Sequence, residues 1–341
     1  RLCRGGGPHE PRSGEMRWWG FLLSFQRHRM TSITILNGIV PVFLLIALGY
    51  GLKKSGFLPL NVWPPIEKFA VYVLYPGFLV PAIWHANLSG FSTGPITIGV
   101  VGSVVIGAAF GFALKPFLKL SGPTFTSVFQ GLIRFNSFVF VPVAASIFGP
   151  DANSLSAVAI SALIPASNMI SILVLAQWGE PEGEIPDRTP LWFVKTLLTN
   201  PIFASCLVGL FLNFLQMPDI TFAEKALNML GEAAIPTGLI LAGAGLSFGY
   251  VWRRPVLVGL VSLFKILVMP VLAWSICWVL GGDRMAQGIA LACGAAPCAA
   301  AAYVQARHMG GDATLMAGIV ALTTTLSAVT MPLLLWLFHL V

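Results

Sequence analysis

The chain has 341 residues, of which 56% are hydrophobic and only 10% are charged, and its formal net charge is +7. A typical soluble domain carries roughly 25% charged residues, and so few charges do not cover a soluble surface. The composition therefore excludes a soluble globular protein and predicts a membrane protein. Most basic residues lie in an N-terminal tail or in short loops between apolar runs, so the charge indicates membrane orientation and not a nucleic-acid partner.

Residues 1–29 differ in composition from the rest of the chain, being rich in Gly, Pro and Arg. We expect this segment to be a non-native or disordered extension, with Met30 as the native start. The alternative is an amphipathic surface anchor around Trp18–Phe25, whose apolar patch is too short to span a bilayer.

Ten apolar segments follow the tail, most of them near the ~20 residues that a membrane-spanning helix needs. They are Ile33–Leu52, Ile66–His85, Pro95–Lys115, Phe125–Phe148, Leu155–Trp178, Leu191–Phe214, Ala223–Phe248, Pro255–Leu280, Met285–Gln305 and Ala313–Leu340. The polar segment Gly179–Pro190 separates the fifth from the sixth. We therefore predict an all-α membrane protein with a first five-helix repeat in residues 30–178, a cytoplasmic linker in residues 179–190 and a second repeat in residues 191–341.

Short motifs recur in the same order in the two halves, which indicates an internal duplication. The pairs include Glu67-Lys68 with Glu224-Lys225, Gln130-Gly131 with Gln287-Gly288, and Gly149-Pro150-Asp151 with Gly310-Gly311-Asp312. Because a unit of five crossings delivers the chain to the opposite side, the second repeat is expected to be inverted. Basic residues concentrate in the odd-numbered loops, which predicts that these loops are cytoplasmic and that both termini lie outside.

The fourth and ninth segments carry equivalent interruptions. Asn136 to Pro142 in the fourth aligns with Cys293 to Ala299 in the ninth, which contains Gly294 and Pro297. Interrupted helices at mid-membrane expose backbone groups, and their N-termini favour an anionic ligand. The alternative for Pro297 is a packing kink. The predicted substrate-binding residues are Arg134, Asn136, Ser137, Pro142, Gly294 and Pro297.

Three charged residues lie well inside apolar segments, where charges are costly and mark candidate functional sites. Arg134 is suited to grip a carboxylate bidentately, although it could instead snorkel to an interface. Lys265 and Glu232 are predicted to serve in coupling or charge balance. Lys265 could stand where other transporters bind Na⁺ or could pair with Glu232, and Glu232 could carry a proton.

The chain from Met30 onward resembles the auxin efflux carrier family, whose bacterial members include malate- and malonate-permease-type proteins. The resemblance rests on these motifs: Ile39-Val40-Pro41-Val42-Phe43, Asn200-Pro201, Ala234-Ile235-Pro236 followed by Gly243-Ala244-Gly245-Leu246, Ala295-Ala296-Pro297, and Leu322-Thr323-Thr324-Thr325-Leu326-Ser327.

The resemblance implies a fold similar to that of sodium/bile-acid symporters. Segments one, two, six and seven would form a scaffold and a homodimer surface, and the others a mobile domain with crossed, broken segments four and nine. It also implies an elevator-type secondary transporter for a small organic anion in the bacterial inner membrane. Plant members often have a Pro in an Asn-containing motif at each crossover. Asn136-Ser137 lacks the Pro and Ala296-Pro297 lacks the Asn, which argues against auxin-like specificity.

Other functions remain open on the residues alone. A cation-coupled symporter or Na⁺/H⁺ antiporter is weakened because no paired aspartates lie within the apolar segments. A non-transporting membrane sensor would need a signalling domain, for which the chain has no room. No HExxH motif and no aspartate pair within the apolar segments indicates an enzyme, and the five cysteines form no CxxC pair, so we expect no metal or cofactor.

Overall fold

The computed structural model describes residues 37–86, 92–149, 151–180, 201–218 and 220–340, together with a few isolated positions between 189 and 199. Within these residues the regular secondary structure is helical, without strands. The expected extension of residues 1–29 lies outside the described residues, as do residues 181–188 of the predicted linker.

Twelve helices follow one another along the described chain, with one short 3-10 helix at Phe248–Arg253 between the eighth and the ninth. They are α1 (Asn37–Lys54), α2 (Leu60–Trp84), α3 (Thr93–Phe117), α4 (Gly122–Ile133), α5 (Ser137–Phe148), α6 (Asp151–Trp178), α7 (Pro201–Phe214), α8 (Thr221–Ala244), α9 (Pro255–Val279), α10 (Arg284–Ala295), α11 (Ala301–His308) and α12 (Ala313–Leu337). With α4 and α5 taken together, eight apolar stretches of the described residues are long enough to cross a bilayer.

The helices depart from the predicted segments in two respects. α2 begins at Leu60 and not at Ile66. Its first three residues, Leu60–Val62, form a 3-10 turn, and Pro64 and Pro65 lie in the first turn of the α-helical part that starts at Trp63, where a missing N–H costs nothing. The ninth segment is divided into α10 and α11, of 12 and 8 residues, and α7 has 14 described residues. None of these three helices is long enough to span a bilayer alone, so the count of ten spans stays a prediction.

Odd-numbered connections between the predicted segments meet at one end of the molecule, which we call the odd end. Three hydrogen bonds join them: Glu180 N–H to Gly310 O at 2.8 Å, Asp312 N–H to Pro123 O at 3.0 Å, and Arg254 Nη1 to Thr124 Oγ1 at 3.3 Å. Even-numbered connections meet at the other end, the even end. The contacts there include Asn213 Nδ2 to Ala86 O at 2.8 Å and Asp283 N–H to Ser92 Oγ at 3.3 Å. The chain therefore alternates between the two ends.

The helices pack in two groups. In the first group α2 packs on α7 and α8, and α1 crosses α8 so closely that a Cβ at Gly243 would lie 1.8 Å from Ile46 O. In the second group α3 packs on α6 and α9, while α9 also packs on α10 and α12. Helices α2 and α8 meet the second group mainly through α5 and α6, and the candidate site lies along this boundary.

Candidate functional site

The fourth segment is interrupted between α4 and α5. Arg134 has extended backbone angles (φ −88°, ψ 143°), and Asn136 follows with φ −91° and ψ 98°. The Asn136 side-chain oxygen accepts a hydrogen bond from the Phe138 N–H at 3.1 Å, which makes Asn136 the N-cap of α5. Because its Oδ1 is engaged, the Asn136 side chain has its NH₂ group left to offer a ligand.

The ninth segment is interrupted between α10 and α11. Ala296 leaves the helix with φ −59° and ψ 139°, and Pro297, which follows, has no N–H to continue the helical hydrogen bonds. The Cys298 N–H donates to the Thr323 hydroxyl of α12 at 3.1 Å, so a side chain replaces part of the lost backbone bonding. The extended stretch is therefore held by α12 before α11 begins at Ala301.

The two interruptions touch each other. The Asn136 N–H donates to the carbonyl oxygen of Pro297 at 2.9 Å. This single bond places the start of α5 beside the chain that leads into α11. The two helix N-termini therefore begin near the same point, as the sequence predicts.

Lys265 stabilises this crossing through contacts with both interrupted segments. The side chain is fully buried, its Nζ donates to Gly294 O at 3.1 Å, and the same atom lies 3.4 Å from the centre of the Phe135 ring. The C-terminal end of a helix carries partial negative charge, and an aromatic face attracts a cation. Lys265 thus stabilises the end of α10 and the extended residues after α4 at once.

Gly294 permits the close packing that this arrangement needs. A Cβ at this position would lie 2.4 Å from Pro270 Cα and 2.9 Å from Met269 O. Both are backbone atoms of α9 and cannot move aside. The end of α10 therefore reaches Lys265 only because residue 294 has no side chain.

A cavity of about 100 Å³ opens beside the crossing, between the two packing groups. The second group contributes the stretch from Arg134 to Phe138, Ser167 and Asn168 of α6, and Ala299 to Ala301. The first group contributes Glu67, Val71, Tyr75, Leu241 and Ala242. Arg134 is buried, and its guanidinium donates a hydrogen bond to the side-chain oxygen of Gln305 on α11.

A larger space of about 800 Å³ leads from this cavity towards the odd end. We call it the vestibule; it shares Glu67, Val71, Leu241 and Ala300 with the cavity. Its other charged or titratable residues are Lys53, Lys68, Tyr72, Tyr303, Arg307 and His308. Among the described lining residues, the basic residues Lys53, Lys68 and Arg307 outnumber the one carboxyl group, that of Glu67, so the vestibule favours the approach of an anion.

Towards the even end, Phe138 closes the boundary between the groups. The centroid of its ring lies 4.1 Å from the centroid of the Tyr75 ring, in an edge-to-face arrangement. A Cβ at Gly238 of α8 would lie 1.8 Å from Phe138 Cδ1. The cavity is therefore open towards the odd end and closed by Phe138 towards the even end.

Comparison with known proteins decides the family. The family model described as membrane transport protein matches residues 34–335. The chain belongs to this family, that of the auxin efflux carriers. The family resemblance and the multi-pass membrane protein inferred from composition are thereby confirmed.

Two relatives cover nearly the same length as this family member. An "Uncharacterized transporter" of Methanothermobacter thermautotrophicus is 24% identical over 298 residues, covering 86% of this chain and 95% of the relative. A "Putative malonate transporter" of Rhizobium meliloti is 22% identical over 308 residues, covering 88% of this chain and 95% of the relative. Both names fit a membrane transporter.

The structure brings some of the predicted site residues of this family member together and separates others. Arg134, Asn136 and Ser137 line the cavity. Gly294 and Pro297 do not line the cavity; their carbonyl oxygens accept the hydrogen bonds of Lys265 and Asn136. Pro142 lies within α5 and does not line the cavity either.

The two residues predicted for charge balance lie in different environments. Lys265 binds the end of α10, whereas Glu232 is exposed on α8. The alternative of an ion pair between Lys265 and Glu232 is wrong, because Lys265 has the Gly294 carbonyl and the Phe135 ring as its partners. Glu232 is not among the described residues that line the cavity or the vestibule, and its role as a proton carrier stays a prediction.

Sequence reasoning missed Glu67, Tyr75 and Gln305 as site residues. Glu67 stands seven residues after the start of α2 at Leu60, but the sequence places it at the segment's edge because the two prolines mask the first turns. With α2 starting at Leu60, Glu67 lies inside a membrane helix, where a charged residue is a candidate functional residue. Tyr75 and Gln305 carry no comparable signal.

Proposed function

We propose that this family member is a secondary transporter that moves a small organic anion across the membrane. The observation that carries the proposal is the buried Arg134 guanidinium in a cavity between two packing groups, with a cationic vestibule leading to it. A guanidinium offers five N–H donors in a planar fork that matches a carboxylate, and only the bond to Gln305 engages it within the described residues.

The substrate class follows from charge and size. Around the cavity stand Arg134, the NH₂ group of Asn136 and the N-terminal backbone of α5 and α11, all of which favour negative charge. The cavity of about 100 Å³ is far below the roughly 300–1,000 Å³ of sites for drug-sized ligands. A mono- or dicarboxylate such as malate or malonate fits both features, and the name of the Rhizobium relative supports malonate.

The mechanism we propose is an elevator motion of the second packing group against the first. The groups correspond to the scaffold and mobile domain that the family resemblance implies, and the cavity is divided between them. Two inverted repeats, residues 30–178 and 191–341, would then give ten spans with α4–α5 and α10–α11 as crossover helices. The alternation of connections between the two ends supports this topology.

The orientation and assembly complete the proposal. The odd end would face the cytoplasm of a bacterial cell, both termini would lie outside, and the first group would form a homodimer surface. The conformation described is then open to the cytoplasm. The basic residues of the odd-numbered connections support this orientation.

A thermal-shift screen of the purified protein tests the proposal. A ligand that binds the folded protein raises its melting temperature by mass action, so we expect malonate, malate or a related carboxylate to do so. Arg134→Ala should abolish this shift and carboxylate uptake into proteoliposomes while leaving membrane insertion intact. Arg284→Ala is the matched control, because Arg284 is exposed at the even end. Equal anion uptake by Arg134→Ala and the native protein would refute the site.

A further inference from the structure

Glu67 stands at the junction of the cavity and the vestibule. Of the four residues that line both spaces, it is the one that carries a charge. It belongs to α2 in the first packing group, whereas Arg134 belongs to the second. A ligand in the cavity therefore lies between a cation on one group and a carboxylate on the other.

Among the described residues that line the cavity, two side chains are charged, those of Arg134 and Glu67; Tyr75 is the other titratable residue, and the rest are neutral. With both charges ionised, the lining has no net charge. A monoanion places one negative charge beside Arg134. A dianion places a second negative charge beside Glu67, in a site partly screened from water where like charges repel strongly.

Glu67 is not the structural partner of Arg134. Within the described residues no ion pair joins the two, and the Arg134 guanidinium is held by the neutral amide of Gln305. The other titratable groups that face Glu67 from the vestibule are Lys53 on α1, Lys68 and Tyr72 on α2, and Tyr303, Arg307 and His308 on α11. Of the part of the chain that the structure describes, Glu67 thus supplies the single carboxyl group that lines either space.

We propose, on the basis of the function proposed above, that Glu67 makes the cavity selective for carboxylic acids with one net negative charge. These are monocarboxylates and the hydrogen form of a dicarboxylate. In the latter the ionised carboxylate binds Arg134, and the un-ionised carboxyl group donates its O–H to a Glu67 oxygen. The acid arrives with its proton and keeps it in the complex, so no protein group has to change its protonation state.

This selectivity has a consequence for coupling. A dicarboxylate that crosses in its hydrogen form takes one proton with it, and the proton returns to solvent when the acid ionises after release. Proton-linked transport then needs no proton carrier in the mobile helices. This replaces the role that the sequence suggests for Glu232, which is exposed on α8.

Malonate and its monoamide, malonamate, test the proposal because they share one skeleton and differ by one charge. At about pH 8 malonate is a dianion, because this pH is far above the usual pKa range of carboxyl groups and both of its carboxyl groups are ionised. Malonamate is a monoanion whose amide N–H₂ can donate to Glu67 in place of the acid O–H. Binding of each is measured by calorimetry on the purified, detergent-solubilised full chain.

We expect the native protein to bind malonamate more tightly than malonate. Glu67→Gln should shift the ratio of the two affinities towards malonate by about tenfold or more, because one unit of nearby repulsion is removed. Glu67→Asp, which restores the charge, should keep the native preference. Glu232→Gln makes the same chemical change on an exposed face of α8 and should leave the ratio unchanged.

The outcomes separate this inference from the proposed function. If the native protein binds these anions and Arg134→Ala does not, but Glu67→Gln leaves the affinity ratio unchanged, the charge selectivity is overturned and the anion site stands. If neither the native protein nor any variant binds a carboxylate, both proposals are overturned.

Discussion

Replacing Gly294 by alanine should weaken the protein at the crossing of its two interrupted segments. The added Cβ would meet Pro270 Cα at 2.4 Å, whereas carbon atoms pack at roughly 3.5–4.0 Å. The end of α10 must therefore move away from α9 by about 1 Å. Overpacking of this kind typically costs about 1–3 kcal/mol.

The displacement also breaks a specific contact. Gly294 O accepts the hydrogen bond of the buried Lys265 at 3.1 Å, and moving it outwards takes that bond beyond ordinary hydrogen-bond distance. An intramolecular hydrogen bond typically contributes about 0.5–1.5 kcal/mol. The two effects together predict a large loss of stability, with a melting temperature lowered by several degrees.

Gly259→Ala provides the matched control for this measurement. Gly259 lies on α9, and a Cβ there would meet nothing within 4 Å. Alanine is a better helix former than glycine, by about 1 kcal/mol, so this variant should be as stable as the native protein or slightly more stable. Melting of both variants in detergent is followed by tryptophan fluorescence. If Gly294→Ala melts with Gly259→Ala and the native protein, α10 does not approach α9 as closely as described.

Three further perturbations test other parts of the structure. Cysteines introduced by Lys54→Cys and Arg254→Cys should react with an impermeant reagent from one side of the membrane, and one from Gln216→Cys from the other; labelling of the first two from opposite sides would refute the topology. Phe138→Ala removes the ring that closes the boundary towards the even end, so we expect leaky uptake that does not saturate with substrate, and native kinetics would show that the ring is no barrier. Lys265→Met leaves the carbonyl at the end of α10 without its buried donor, which should cost about 1–3 kcal/mol in thermal stability; unchanged melting would contradict the supporting role of Lys265.

Local sequence patterns determined much of this protein. The long apolar runs predict membrane helices because a bilayer penalises every unpaired backbone group in them. The two interruptions were also predictable, since Asn136 can cap a helix and Pro297 cannot continue one. Arg134 stood out because a guanidinium inside an apolar segment is costly unless it has a function. Each of these inferences needs only neighbouring residues.

The tertiary structure decided which distant residues share the cavity. Glu67 precedes Arg134 by 67 positions in the printed sequence, and Gln305 follows Arg134 by 171 positions. No periodicity or motif joins the three. Likewise, Lys265 and Glu232 were equally plausible as buried charges until packing turned one towards Gly294 and left the other on the surface. The physical reason is that hydrophobic burial is non-directional. It favours the entry of an apolar segment into the membrane but does not determine which segment it packs against. That choice depends on close backbone contacts such as the one between Gly294 and Pro270.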